Sequence, residues 1–167
     1  MADPILVADI GGTNVRFGLG TVPQEPVAKI LKYKISTFPN PETAVRKYFD
    51  DLGLTKAERV AIKKACFAAA GPVEDDVVSL TNGSWVIDKA HIAQTFDLEF
   101  KLINDFSGLA NAIPYLKENE LLKLGGGEPV GGSPKAIFGP GTGLGVSGAV
   151  PDRSGSWMVL SGEGGHV

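Results

Sequence analysis

The chain has 167 residues, 43% of them hydrophobic and 21% charged, with a formal net charge of −3. That supply of apolar residues suits one globular domain, or one domain and the beginning of a second, and it excludes a disordered tail. Lys and Arg are scattered, so no basic face is offered to a phosphate backbone, and no apolar stretch approaches the length of a membrane span; neither nucleic acid nor a membrane is expected as a partner.

The opening MADPILVADIGG has no positive leader region, and Asp9 interrupts its apolar run, so it reads as a buried first strand and not as a signal peptide. Ile5 to Asp9 is predicted as a strand, Gly11 to Asn14 as a turn and Val15 to Leu19 as the returning strand. Asn40 to Leu52 follows as a helix: Asn40 can cap it, Pro41 suits its first turn, Val45, Tyr48, Phe49 and Leu52 share one face, and Gly53 lies beyond. The alanine-rich CFAAAGPV is ambiguous by propensity; Gly71 and Pro72 end it and VVSLTNG follows, which predicts a second hairpin. Cys66, the single cysteine, falls in this run as a small buried hydrophobe, and with no disulfide framework a reducing cytoplasm is the expected compartment.

Asp88 to Phe96 is predicted as a short helix, with His91 as a partly exposed helix residue. Phe100 to Ile103 is a strand that hands directly to a helix over Asp105 to Ile113, where Phe106, Leu109, Ala110 and Ile113 keep helical spacing. A Gly-rich connection runs through Gly132. Lys135 to Phe138 is then a strand, GPGTG a turn, Leu144 to Val150 its return, and Ser156 to about Leu160 a last strand. Trp85 and Trp157 are expected to pack, with Trp85, beside TNG, also a candidate border for a sugar.

The 22 glycines cluster between apolar β-like runs, a placement that suggests functional turns. VADIGGTNVRFGLG and AIFGPGTGLGVSGAV echo one another as strand, Gly/Thr turn, strand, and two copies of one device suggest two halves gripping one ligand. Gly11-Gly12-Thr13 and Gly141-Thr142-Gly143 can converge backbone N–H groups and a hydroxyl on phosphate oxygens. Neither matches the P-loop nor the dinucleotide fingerprint, and an ordinary glycine hairpin explains either one alone. Asp9 can hold hydrated Mg²⁺ facing a nucleotide, or can bond its own turn. Asp105 can be a helix cap, or a base accepting a proton from a substrate hydroxyl that Asn104 orients. In GEGGHV, Glu163 can accept from and His166 donate to adjacent sugar hydroxyls; a metal there would need further ligands that the neighbourhood lacks.

VADIGGTN, LTNGSW, LINDFSGLANAIPYL, FGPGTGLGV and LSGEGGHV, in this order, resemble the motifs of bacterial-type glucokinases, within the actin, heat-shock chaperone and sugar kinase superfamily, over about Ile5 to Val167. The resemblance implies an α/β fold of the ribonuclease H-like, actin-like ATPase type, with residues 1–115 as a small first domain and 116–167 as the start of a larger one. It implies ATP-dependent phosphorylation of glucose at the 6-hydroxyl, with ATP and Mg²⁺ as cofactors and a homodimer as a candidate assembly of the full-length enzyme. Asp9, Ile10, Gly11, Gly12, Thr13 and Asn14 would form the first phosphate loop, with Asp9 toward the metal, and Gly139, Gly141, Thr142 and Gly143 the second. Asn104 and Asp105 would meet the sugar, Asp105 as the base; Glu163, His166 and Asn82 would bind further hydroxyls. Family members continue well past the Gly-Gly-His motif, so the chain is expected to be a fragment. A noncatalytic sugar-sensing or interaction module is the alternative; a chaperone-like ATPase is disfavoured by the Glu163 and His166 loop.

Overall fold

The computed structural model describes residues 3–21, 25–80, 83–140 and 144–162. In chain order the strands and α-helices are β1 (Ile5–Ile10), β2 (Asn14–Gly20), β3 (Ala28–Lys34), α1 (Pro41–Asp51), α2 (Lys56–Ala61), β4 (Lys64–Ala69), β5 (Val77–Ser79), β6 (Val86–Asp88), α3 (Lys89–Phe96), β7 (Glu99–Asn104), α4 (Asp105–Ala112), β8 (Lys135–Pro140), β9 (Leu144–Pro151) and β10 (Trp157–Gly162). They fall into two compact units, Met1–Asp105 and Phe106–Val167.

The first unit is built on a five-stranded mixed sheet ordered β3-β2-β1-β4-β7. β1 pairs antiparallel with β2 and parallel with β4, which in turn is parallel to β7. Period-2 alternation drives Leu6, Ala8 and Ile10 of β1, Ala65, Phe67 and Ala69 of β4, and Phe100 and Leu102 of β7 into one core. Phe17 lies at its aromatic centre, with ring centroids 5.4 Å from Tyr48 and 5.9 Å from Phe67. α1 adds Ala44, Val45, Tyr48 and Phe49 from one face, and Asn40 caps it by accepting from the Thr43 N–H at 2.9 Å. α3 is capped by Asp88, which accepts from the His91 N–H at 3.0 Å, and it ends at Asp97 in the left-handed region (φ 51°). His91 itself is exposed.

The hairpin expected from CFAAAGPV and VVSLTNG does not form. β4 lies between β1 and β7, so both its edges are taken, and Val77–Ser79 pairs with Val86–Asp88 in a separate two-stranded ribbon. Nearness in sequence favoured a hairpin, whereas burial of an alternating small and aromatic strand favoured the middle of the sheet. β3 and α2 went unread for a related reason: β3 is a Lys-rich, mostly exposed edge strand, and α2 buries none of its six residues.

The second unit contains the antiparallel sheet β10-β9-β8. Opposed pairs Ile137/Ser147 and Lys135/Ala149 set one face, and on it Ile137, Ser147 and Ala149 are buried. The Ser147 hydroxyl donates to the Leu160 carbonyl at 2.9 Å, and the Lys135 ammonium stands 5.3 Å from the Trp157 ring centroid. Phe138, Leu144, Met158 and Leu160 are exposed. Among the described residues no helix is long and apolar enough to cross a membrane.

Candidate functional site

In the first unit, β1, β4 and β7 run parallel and end flush, since Ile10 pairs with Ala69 and Ala69 with Asn104. At a strand spacing of about 4.8 Å, Ile10 and Asn104 are about 10 Å apart along one edge, the edge where ligands gather in α/β sheets. Each strand delivers a different element there. β1 opens into the Gly11–Gly12–Thr13 turn, β4 into Ala70 and Gly71, and β7 into Asp105, the first residue of α4.

The first turn is held by its backbone: the Gly11 N–H donates to the Asn14 carbonyl at 2.9 Å, and the Ile35 N–H donates to the Thr13 carbonyl at 3.0 Å. The Asp9 carboxylate, half-exposed, accepts from Arg16 on the neighbouring strand at 2.8 Å, a cross-strand pair and not a bond to its own turn. An exposed carboxylate beside a glycine turn fits hydrated Mg²⁺, which takes one or two carboxylates and otherwise water and phosphate oxygens. Among the described residues no cluster of three or more His, Cys, Asp or Glu exists to hold a metal by protein ligands alone.

The Ala70 N–H donates to the Ile10 carbonyl at 2.8 Å, and the Asn104 side-chain amide donates to the Gly71 carbonyl at 3.0 Å. Asn104 is thereby oriented by the turn after β4, and Gly71, at φ 145°, adopts a backbone conformation that other residues rarely reach. Asp105 follows as the first residue of α4. The loop between β5 and β6 also reaches this edge: a Cβ on Gly83 would lie 3.7 Å from the Gly12 carbonyl.

Asn82, Gly141, Thr142, Gly143, Glu163 and His166 lie outside the described residues. In the second unit Gly139 is in β8, opposite Gly145. Trp85 is buried, 1% exposed, with its indole N–H donating to the Phe38 carbonyl at 3.0 Å, so it packs into the core. Cys66 is partly buried, and burial pushes its thiol up, which makes it a poor nucleophile. Arg16 and Gly71 were missed by sequence reasoning; only Gly71 carried a signal, as the glycine closing an apolar run. A recess lined by Arg46, Phe49, Arg59 and Phe96 also includes Ile62 and Leu98, which precede β4 and β7, so it belongs to the opposite edge of the sheet.

The glucokinase family model matches residues 6–167. The glucokinase of Cupriavidus pinatubonensis is 42% identical over 167 residues, covering 99% of this chain and 48% of that protein. The glucokinase of Chromohalobacter salexigens is 40% identical, covering 100% of this chain and 51% of that protein. Among solved structures, a glucokinase from an Antarctic psychrotroph superposes with a TM-score of 0.85 at 37% identity, over 100% of this chain and 52% of that one. A ROK family glucokinase from Streptomyces griseus, solved with glucose and AMPPNP, shares the fold at a TM-score of 0.61 and 20% identity, over 95% of this chain and 48% of that one. The chain spans about half the length of the curated relatives it matches.

Proposed function

Because the chain belongs to the glucokinase family, we propose that it carries the front part of an ATP-dependent glucokinase, with the first phosphate loop, the catalytic base and part of the sugar site. The observation that carries this reading is the flush edge: a glycine turn, the Gly71 carbonyl that orients Asn104, and Asp105 at a helix start end three adjacent parallel strands. A nucleotide-phosphate cradle beside a hydroxyl-binding carboxylate is what phosphoryl transfer to a sugar requires.

Asp9, Ile10, Gly11, Gly12, Thr13 and Asn14 form the first phosphate loop, and Gly139, Gly141, Thr142 and Gly143 the second. Asn104 orients the glucose 6-hydroxyl and Asp105 accepts its proton as the hydroxyl oxygen attacks the γ-phosphorus of ATP. The new bond is O6–P, the broken one joins the γ-phosphorus to the β,γ-bridging oxygen, and ADP leaves with that electron pair. Glu163, His166 and Asn82 bind further hydroxyls. Asp9 faces Mg²⁺, which when bound offsets charge on the phosphate oxygens. Residues 1–115 act as one domain and 116–167 open the second, and the reducing cytoplasm suits a protein whose single cysteine is unpaired.

A coupled assay of glucose 6-phosphate formation with Mg·ATP tests this, run on the full-length enzyme that contains these residues and on its Asp105→Asn variant, beside a calorimetric titration with glucose. Asp105→Asn is expected to lose turnover by about 10²- to 10⁴-fold with glucose affinity nearly unchanged. Near-normal turnover in Asp105→Asn would remove the base. For the 167-residue chain alone, glucose uptake without ATP would favour the noncatalytic sugar-binding module and no detectable uptake would remove that alternative, whereas absence of turnover in the full-length enzyme would reject the kinase.

A further inference from the structure

On α1, Glu42 and Asp50 stand one helical turn to either side of Arg46, the spacing at which acids pair with a base along a helix. Both are drawn to other partners. The Glu42 carboxylate faces a ring nitrogen of His91 at 3.5 Å, and Asp50 accepts from Arg59 at 2.7 Å. Asp51 and Asp97, on the same helix and at the end of α3, are paired with Lys47 and Lys63. Arg46 is thereby left without a salt bridge among the described residues, and its guanidinium rests over the Phe96 ring, 5.3 Å from the centroid. A stacked guanidinium keeps its N–H donors in its own plane, where an anion can still meet them.

Arg46, exposed, lines the recess of about 160 Å³ at the edge of the sheet opposite Asn104. The floor is apolar: Phe49 and Ile62 are buried, and Phe96 and Leu98 pack partly buried against the core. The Phe49 and Phe96 rings meet edge to face with centroids 6.2 Å apart, which fixes that floor. Arg59 also lines the recess, but its Nε–H donates to the Leu54 carbonyl at 2.9 Å and Asp50 neutralises its charge. The recess therefore sets one positive charge beside a rigid apolar floor, and a cavity of about 150 Å³ is room enough for a benzene ring.

We infer that this recess binds a small organic monocarboxylate with an apolar body of about one ring. The carboxylate meets the Arg46 guanidinium, and the body covers the floor. Arg46 is the single unpaired cation among the lining residues, so a monoanion matches the charge and a dianion exceeds it. The Thr95 hydroxyl, which also lines the recess, is a further donor. The six residues of β7 put about 20 Å between Leu98 and Asn104 at about 3.3 Å per residue, so this ligand and a sugar at Asn104 occupy different places. The inference stands apart from phosphoryl transfer and would hold for the noncatalytic alternative as well.

Benzoate and its neutral isostere benzamide are the probes, titrated into the full-length protein while the methyl resonances of Ile62 and Leu98 are followed by NMR. Benzoate is expected to shift those methyls and saturate with a Kd of about 0.1–10 mM, the range open to so small a ligand. Benzamide, which lacks the charge, should bind about tenfold more weakly. Arg46→Gln should bring benzoate down to the affinity of benzamide and leave benzamide unchanged, with the melting temperature little altered because the side chain is exposed. Glucose affinity should stay within about twofold at saturating benzoate, as separate sites require. Methyls unmoved by benzoate overturn the site, and displacement of benzoate by glucose overturns its separateness. Equal affinities for benzoate and benzamide in the unsubstituted protein overturn the role of Arg46 without recourse to any variant, as does unchanged benzoate binding in folded Arg46→Gln.

Discussion

Replacing Trp85 by Phe separates a packing residue from a sugar contact. The indole is 1% exposed and donates to the Phe38 carbonyl at 3.0 Å, tying the β5–β6 ribbon to the segment that enters α1. Phenylalanine removes the donor, and leaving that carbonyl short of a partner costs about 1–3 kcal/mol. It also removes roughly three ring atoms from a filled site, worth about 0.8 kcal/mol each, or about 2 kcal/mol together. The sum, about 3–5 kcal/mol, is a large part of the roughly 5–15 kcal/mol that holds an ordinary domain folded. Urea titration followed by far-ultraviolet circular dichroism should show the midpoint falling accordingly, with a melting temperature lower by roughly 6–20 °C. Glucose titration at a temperature where both proteins are folded should give nearly equal affinities. A stability loss below about 1 kcal/mol, or glucose binding weakened about tenfold or more in a fully stable protein, would refute the packing account.

Burial pushes the Tyr48 phenol up from 10.0 to about 12, and burial first and Asp51 second raise Tyr33 as well. With the folded value above the unfolded one, the stability tied to Tyr48 is complete below pH 10 and is lost as pH rises toward 12; urea midpoints against pH should fall across that window, and less steeply in Tyr48→Phe, where Tyr33 alone still contributes, and a flat profile in the unsubstituted protein would contradict this. At the phosphate edge, Asp9→Asn should raise the Mg²⁺ concentration for half-maximal turnover, whereas Arg16→Gln should lower it by no more than about fivefold, because an exposed ion pair is worth up to about 1 kcal/mol. An unchanged Mg²⁺ dependence in Asp9→Asn would remove that residue from the metal.

The elements most legible in the sequence were those whose local chemistry agreed with their burial. α1 carried its cap, its Pro and its apolar face within a dozen residues, and the β1–β2 hairpin carried alternation on both sides of a glycine turn. β4 was recognised as a strand but given the wrong neighbour, because parallel pairing joins strands distant in sequence and leaves no mark in the turn that follows. β3 was invisible for the opposite reason: as an exposed edge it needs few apolar residues, and its lysines are the solvated border of the sheet.

At the candidate site, sequence reasoning named residues but not the contacts that arrange them. Asn104 and Asp105 stood out as a polar pair between an apolar strand and a helix, yet nothing in the chain's order told that Gly71, 33 positions earlier, orients Asn104 by its carbonyl. Asp9 was read against its own turn or a metal, and its partner Arg16 became evident only once the register of β1 and β2 set them opposite each other. The glycines show the same limit from another side. Gly139 was read as part of a phosphate loop and Gly145 was not singled out, but each would have to be glycine for Phe106 to lie where it does. One composition serves two physical ends, freedom for backbone donors within the turn and room for a ring beside it, and only the strand register distinguishes them.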